Sequence, residues 1–159
     1  KFASKLNFDK AQKELSDEYI FIVKYHYLVS DKIDWSPYEG FVYTFDETKD
    51  IAWLYLVSDM MITDYSSVMF DYSLLKRPML FFAYDLQDYK ENLRGFYFDF
   101  VEEAPGPISR DTNQLINDIK SYEPLKWEDK YQTYSNKYNH VDDGHASEKV
   151  IDLIKNRSK

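Results

Sequence analysis

The chain has 159 residues, with 28 acidic against 20 basic for a formal charge of −8, and 44% of it is hydrophobic and 18% aromatic. That length carries one domain with one core, the hydrophobic content excludes a disordered chain, and the negative field argues against a nucleic-acid reader. Having no cysteine, it has no disulfide, thiolate metal site or thiol nucleophile; no apolar run approaches the roughly 20 residues of a spanning helix, and no signal-peptide pattern opens the chain.

Phe8, Ala11 and Leu15 recur at helical spacing with Asp9 in the first turn, which predicts a helix over 8–15. Tyr19-Ile20-Phe21-Ile22-Val23-Lys24 is continuous, β-branched and aromatic, the pattern of a buried parallel strand. It places His26 at a strand's carboxyl end, where open α/β sheets collect ligands. Val29 to Tyr38 reads as a polar loop and Phe41 to Phe45 as a short strand. Asp50 is a cap for a helix whose buried face is Ile51, Leu54, Tyr55 and Val57.

The stretch from Asp59 to Pro78 organises the rest. Met60-Met61-Ile62 has the length of a buried strand, Thr63-Asp64-Tyr65-Ser66-Ser67 is a polar turn, and Val68, Phe70 or Asp71, Leu74 and Leu75 fall near helical spacing before Pro78. Met79-Leu80-Phe81-Phe82 is the next buried strand. Three strand, loop and helix cycles at roughly 20-residue spacing predict an α/β fold with a Rossmann-like, doubly wound parallel sheet.

Past Phe82 the pattern changes. Ala83 to Tyr89 is an aromatic and acidic loop, Arg94 to Phe100 is extended and ring-rich, and Pro105-Gly106-Pro107 is a rigid turn. From Asp111 the chain reads as helical to about residue 157, with stripes at Leu115, Ile116, Ile119 and Tyr122, at Trp127, Tyr131 and Tyr134, and at Val150, Ile151 and Ile154.

Two readings of Ser66 and Ser67 stand side by side. They cap the following helix, or they offer hydroxyls and free N–H groups at its positive end as a phosphate seat. His26 fits a phosphate donor, a general acid or base, or an ordinary loop residue. Asp64 is placed to tie down the N–H groups of its own turn, and Asp71 to orient the loop or meet a ribose hydroxyl. His140 and His145 flank Val141-Asp142-Asp143-Gly144, but the spacing matches no zinc pattern and reads as a solvated turn. Neither GxGxxG, GxxxxGK[ST] nor GxSxG occurs, so dehydrogenase, P-loop and α/β-hydrolase readings have no motif.

Five blocks in order carry a resemblance: Ile-Thr-Asp-Tyr-Ser-Ser-Val-Met-Phe-Asp-Tyr (62–72), Lys-Arg-Pro (76–78), Phe-Phe-Ala-Tyr-Asp-Leu-Gln-Asp-Tyr (81–89), Arg-Gly-Phe-Tyr-Phe-Asp (94–99) and Pro-Gly-Pro (105–107). From about Tyr19 to Ile154 the chain resembles the C-terminal half of the CDP-glycerol glycerophosphotransferases, the teichoic-acid primases and polymerases of Gram-positive walls. The resemblance implies the C-terminal, donor-binding half of a GT-B fold, with 1–159 as a single donor-nucleotide-binding domain.

By motif match, Thr63, Ser66, Ser67 and His26 would meet the donor phosphates, with His26 the catalytic candidate. Asp64, Asp71, Tyr43, Asp46 and Arg94 would support the site or border the nucleotide, and Lys24, Lys76, Arg77 and Arg94 are the cations available. The implied reaction is metal-independent transfer of glycerol phosphate from CDP-glycerol to a lipid-linked acceptor, releasing CMP, in the cytoplasm at the inner face of the membrane. CDP-ribitol or another CDP-alcohol is the alternative donor. A non-catalytic domain that docks a protein partner through the rings of Tyr84 to Phe100 is the alternative class. The family's amino-terminal half, with its His-Gly-Thr motif, and its Pro-Thr-x-Arg strand do not occur here. The abrupt ends and only 4 glycines also suggest a fragment, so weak donor binding, no turnover by this chain alone and a bared sheet edge that invites self-association are expected.

Overall fold

The computed structural model describes residues 5–25, 33–46, 48–86 and 98–157. In chain order the elements are α1 (Phe8–Leu15), β1 (Phe21–Val23), a 3-10 turn (Ser36–Tyr38), β2 (Val42–Thr44), α2 (Ile51–Val57), β3 (Met61–Thr63) and α3 (Val68–Ser73). They continue with β4 (Met79–Phe82), α4 (Phe100–Glu103), β5 (Ile108–Ser109), α5 (Thr112–Lys120), α6 (Pro124–Tyr138) and α7 (Ala146–Arg157).

Among the described residues every strand pair is parallel, a pairing that needs crossover connections longer than a hairpin turn. The described residues form two sheets, β1 with β2 and β3-β4-β5 in that order. β1 registers Phe21 against Val42, β3 registers Met61 against Met79, and β4 registers Phe81 against Ile108. The predicted α/β class with parallel sheets is what the structure has.

β4 explains the layering. Its four residues are all fully buried, and successive side chains of a strand point to opposite faces. Leu80 and Phe82 join one core cluster with Phe8, Ala11 and Leu15 of α1 and Leu115, Ile116 and Ile119 of α5, against which Phe21, Val23 and Ile62 also pack. Met79 and Phe81 join the other, with Met69 and Tyr72 of α3, Phe100 of α4 and Tyr134 of α6. Burying each such side chain contributes roughly 1.5–3 kcal/mol.

Local chemistry starts the helices where expected. Asn7 accepts from Lys10 N at 3.0 Å, Asp50 from Ala52 N at 2.9 Å, and Asp111 from Asn113 N and Gln114 N at 2.8 and 3.0 Å. Pro105-Gly106-Pro107 leads into β5, and Gly106 is there for close approach: a Cβ at that position would lie 1.8 Å from Met79 O.

Four expectations about burial are corrected. β1 is half-buried rather than buried. On α2 no residue is buried: Ile51, Leu54 and Tyr55 are half-buried and Val57 is exposed. On α3 the buried set is Met69, Tyr72 and Ser73, not Val68, Leu74 and Leu75. A six-residue helix is too short for its own periodicity to choose a face, and contact with β4 and α6 chooses it. Val150, Ile151 and Ile154 are all exposed, and α7 has no buried residue.

Two stability outcomes follow. Gly106→Ala must displace strand backbone and is expected to cost about 3 kcal/mol, read by chemical denaturation. Glu103 is hydrogen-bonded by Lys137 and Tyr138, which holds its carboxyl below the ordinary 4.5. Its folded value lies below its unfolded one, so its contribution is present above pH 4.5 and lost as pH falls through the lower folded value. Glu103→Gln should therefore flatten the acid limb of the stability profile between those values.

Candidate functional site

The turn between β3 and α3 stands at the carboxyl end of β3. Thr63 ends that strand and is buried. Asp64 Oδ1 accepts from Ser66 N at 3.0 Å, so it does tie down its own turn. Ser66 O and Ser67 O accept from Met69 N and Phe70 N, at 3.3 and 3.0 Å, starting α3.

The two serines are not capping side chains. Ser67 occupies the N-cap position of α3 without a side-chain capping bond. Both hydroxyls are unpartnered among the described residues, with Ser66 half-buried and Ser67 exposed. A cap residue usually turns its oxygen back onto the N–H two or three residues on; here those hydroxyls are left for something else.

The neighbouring strand end contributes Tyr84 and Asp85. Tyr65 Oη donates to Asp85 Oδ1 at 2.9 Å. Burial first, then the hydrogen bond to Asp85, pushes the Tyr65 hydroxyl far above its ordinary value. Tyr84 is pushed up by burial and then by the charges of Asp85 and Asp64. Lys5 Nζ stands 5.8 Å from the centre of the Tyr84 ring.

The other candidates divide. Asp71 sits in the first turn of α3 and is exposed. Tyr43 lies on β2 and is half-exposed, while Asp46, just past β2, spends Oδ1 on Thr48 N and Thr48 Oγ1 at 2.9 and 2.8 Å. Those bonds hold the Asp46 carboxyl below its ordinary value. His26 and Arg94 lie outside the described residues. Two depressions among the described residues, of about 210 and 350 Å³, are lined respectively by residues such as Glu103, Asp129 and Tyr134, and by Lys5, Phe8 and Tyr38, and neither is lined by the residues of this turn.

Arg77 is not at this site. Its Nη1 lies 3.2, 2.9 and 2.7 Å from the carbonyls of Tyr55, Leu56 and Ser58, closing the C-terminus of α2 where a cation complements the helix dipole. Tyr72 Oη donates to the same Ser58 carbonyl at 2.9 Å. These residues precede β3 and β4, so Arg77, and Lys76 beside it, stand at the amino ends of the strands, opposite the serines. Sequence proximity to the site helix suggested a phosphate cation; the chain's reversal after α3 puts it elsewhere. His145 also has a local role: its Nδ1 meets Glu148 Oε2 at 3.0 Å and its N–H donates to Asp143 Oδ1 at 3.0 Å, a solvated turn leading into α7. Phe98 and Phe100, expected on a displayed loop, pack into the second core cluster.

The family model described as CDP-glycerol:poly(glycerophosphate) glycerophosphotransferase matches residues 1–156. A teichoic acid poly(glycerol phosphate) polymerase of Bacillus subtilis (strain 168) is 46% identical over 156 residues, 97% of this chain and 21% of the relative. A teichoic acid poly(ribitol-phosphate) polymerase of Bacillus spizizenii (strain ATCC 23059 / NRRL B-14472 / W23) is 43% identical over 151 residues, 94% of this chain and 24% of the relative. Among solved structures, the wall teichoic acid polymerase TagF, in a variant form soaked with CDPG, matches with a TM-score of 0.84 at 40% identity, covering 96% of this chain and 38% of that one. The chain spans well under half the length of each of these relatives.

If Arg77 only closes α2, Arg77→Met should cost about 1.5–3 kcal/mol of stability and leave nucleotide affinity unchanged, read by thermal denaturation beside calorimetric titration.

Proposed function

Because the chain belongs to the CDP-glycerol:poly(glycerophosphate) glycerophosphotransferase family, we propose that it is the donor-binding half of a two-part transferase. In this reading the whole protein moves glycerol phosphate from CDP-glycerol to a teichoic-acid-type, lipid-linked acceptor. The observation that carries it is the pair of hydroxyls at Ser66 and Ser67, left unspent on a turn at a strand's carboxyl end.

An acceptor hydroxyl oxygen bonds to the β-phosphorus of the donor, the bond from that phosphorus to the bridging oxygen breaks, and CMP leaves with the oxygen. The acceptor proton passes to a base supplied by the rest of the protein. Ser66, Ser67, Thr63 and His26 meet the phosphates as hydrogen-bond donors, which act most strongly on the charge that builds in the transition state. Asp64 holds the turn, and Asp71, Tyr43, Asp46 and Arg94 support or border the nucleotide. The reading assigns charge stabilisation to these donors rather than to a metal.

No helix among the described residues is long and apolar enough to cross a membrane; the reading places the whole protein peripherally at the inner face, drawn there by its acceptor. Likeness to a ribitol-phosphate polymerase at 43% identity keeps CDP-ribitol as the second reading.

The test is calorimetric titration of the complete protein that carries this chain with CDP-glycerol, CDP-ribitol and CMP. The expected result is saturable binding of one CDP-alcohol, weakened about tenfold or more by Ser66→Ala with Ser67→Ala, since each hydrogen bond to a charged group is worth about 1.5–3 kcal/mol. Failure of the complete protein to bind any cytidine nucleotide would sink the reading.

A further inference from the structure

We propose that Tyr65 and Asp85 are a positioning pair for the donor phosphates: the hydrogen bond between them sets the turn that presents Ser66 and Ser67. This rests on the donor-site reading above and adds to it two residues that need touch no substrate.

Tyr65 directly precedes Ser66, so wherever its side chain is held the serine backbone follows. The ring stands edge-on to Phe100 at 5.4 Å and 70°. Phe100 is 1% exposed and in turn edge-on to Phe81 of β4 at 5.2 Å and 89°. At the ring's far end, Oη donates to Asp85 Oδ1 at 2.9 Å, a contact between residues twenty apart in sequence. One side chain thus ties the segment after β3 to the core beneath it and to the segment after β4 beside it.

Asp64 completes the arrangement from within, through its bond from Ser66 N at 3.0 Å. Two carboxylates border the turn, Asp64 within it and Asp85 across from it, and both press electrostatically on Tyr65 and Tyr84. Two free carboxylates would oppose a phosphate ligand. Each instead accepts from a donor of the turn itself, Asp64 from a backbone N–H and Asp85 from the Tyr65 hydroxyl. That hydroxyl stays protonated throughout the physiological range, so it is a permanent donor. The packed ring fixes position, and the charge-assisted bond at Oη fixes where its far end points.

The experiment uses the complete protein that carries this chain, with CDP-glycerol as the varied substrate. Tyr65→Phe keeps the ring and its packing, and Asp85→Asn keeps the shape of the partner. Each is expected to raise KM for CDP-glycerol about tenfold, the worth of one charge-assisted hydrogen bond, with kcat changed less than about twofold. The double variant should be no worse than either single one, because the two groups act as one unit. Ser66→Ala with Ser67→Ala is measured in parallel.

Unchanged donor KM in both single variants, with the serine variant impaired, overturns the pair and leaves the donor site standing. A lowered melting temperature with unchanged donor KM does the same, since it marks a role in stability alone. Unchanged donor KM in the serine variant overturns the donor-site reading, and the pair with it.

Discussion

The structure depends on one strand that has no exposed atom to spare. Met79, Leu80, Phe81 and Phe82 are all fully buried, and β4 is paired on both edges, to β3 and to β5. That pairing supplies backbone partners from both neighbours, such as the Pro107 carbonyl that accepts from Phe81 N at 2.9 Å, as burial demands. Its alternating side chains divide the interior into two clusters. Leu80 and Phe82 bind the α1 and α5 layer to the sheet, while Met79 and Phe81 bind the α3, α4 and α6 layer. The tight passage of Gly106 over Met79 O is what lets β5 close the second edge.

The turn of the candidate site inherits its position from that strand. β3 registers with β4, so the end of β3 at Thr63 and the end of β4 at Phe82 stand side by side, and Tyr65 can reach Asp85. α3 is held from behind by α6, distant in sequence: Asn139 Nδ2 donates to Ser73 Oγ at 2.6 Å, Tyr131 Oη to Ser73 O at 3.3 Å, and Phe70 stacks on Tyr134 at 5.8 Å. Ser73 is fully buried and donates its own proton to Phe70 O at 2.7 Å. Buried polar groups that are satisfied in this way specify one arrangement of the helices. The serine turn is therefore a short, largely half-buried segment, exposed at Ser67, mounted on a helix that is clamped on two sides.

What the sequence by itself determined is the chemistry that acts over a few residues. Asn7, Asp50 and Asp111 cap helices because their side-chain oxygens accept from N–H groups two or three residues on, and no distant contact is needed. Continuous apolar runs at 21–23 and 79–82 made parallel strands, as β-branched and aromatic runs of that length favour, the second fully buried and the first half-buried. Asp64 closing its own turn was legible for the same local reason, and the order of the five motif blocks was enough to place the chain in its family.

Only the tertiary structure decided which faces and partners the longer-range residues took. The inward face of α3 went to Met69, Tyr72 and Ser73 because β4 and α6 lie there, and six residues carry too little periodicity to announce it. Arg77, itself a candidate cation and close in sequence to the serines, was carried to the opposite end of the strands by the chain reversal after α3, and three carbonyls of the α2 terminus hold it there. Ser67 stood where capping serines stand, yet its hydroxyl is unspent. Tyr65 gave no signal in the sequence, because its partner, Asp85, becomes a neighbour only when β3 and β4 lie side by side. Contacts of that kind depend on the register of strands distant along the chain, which no local pattern encodes.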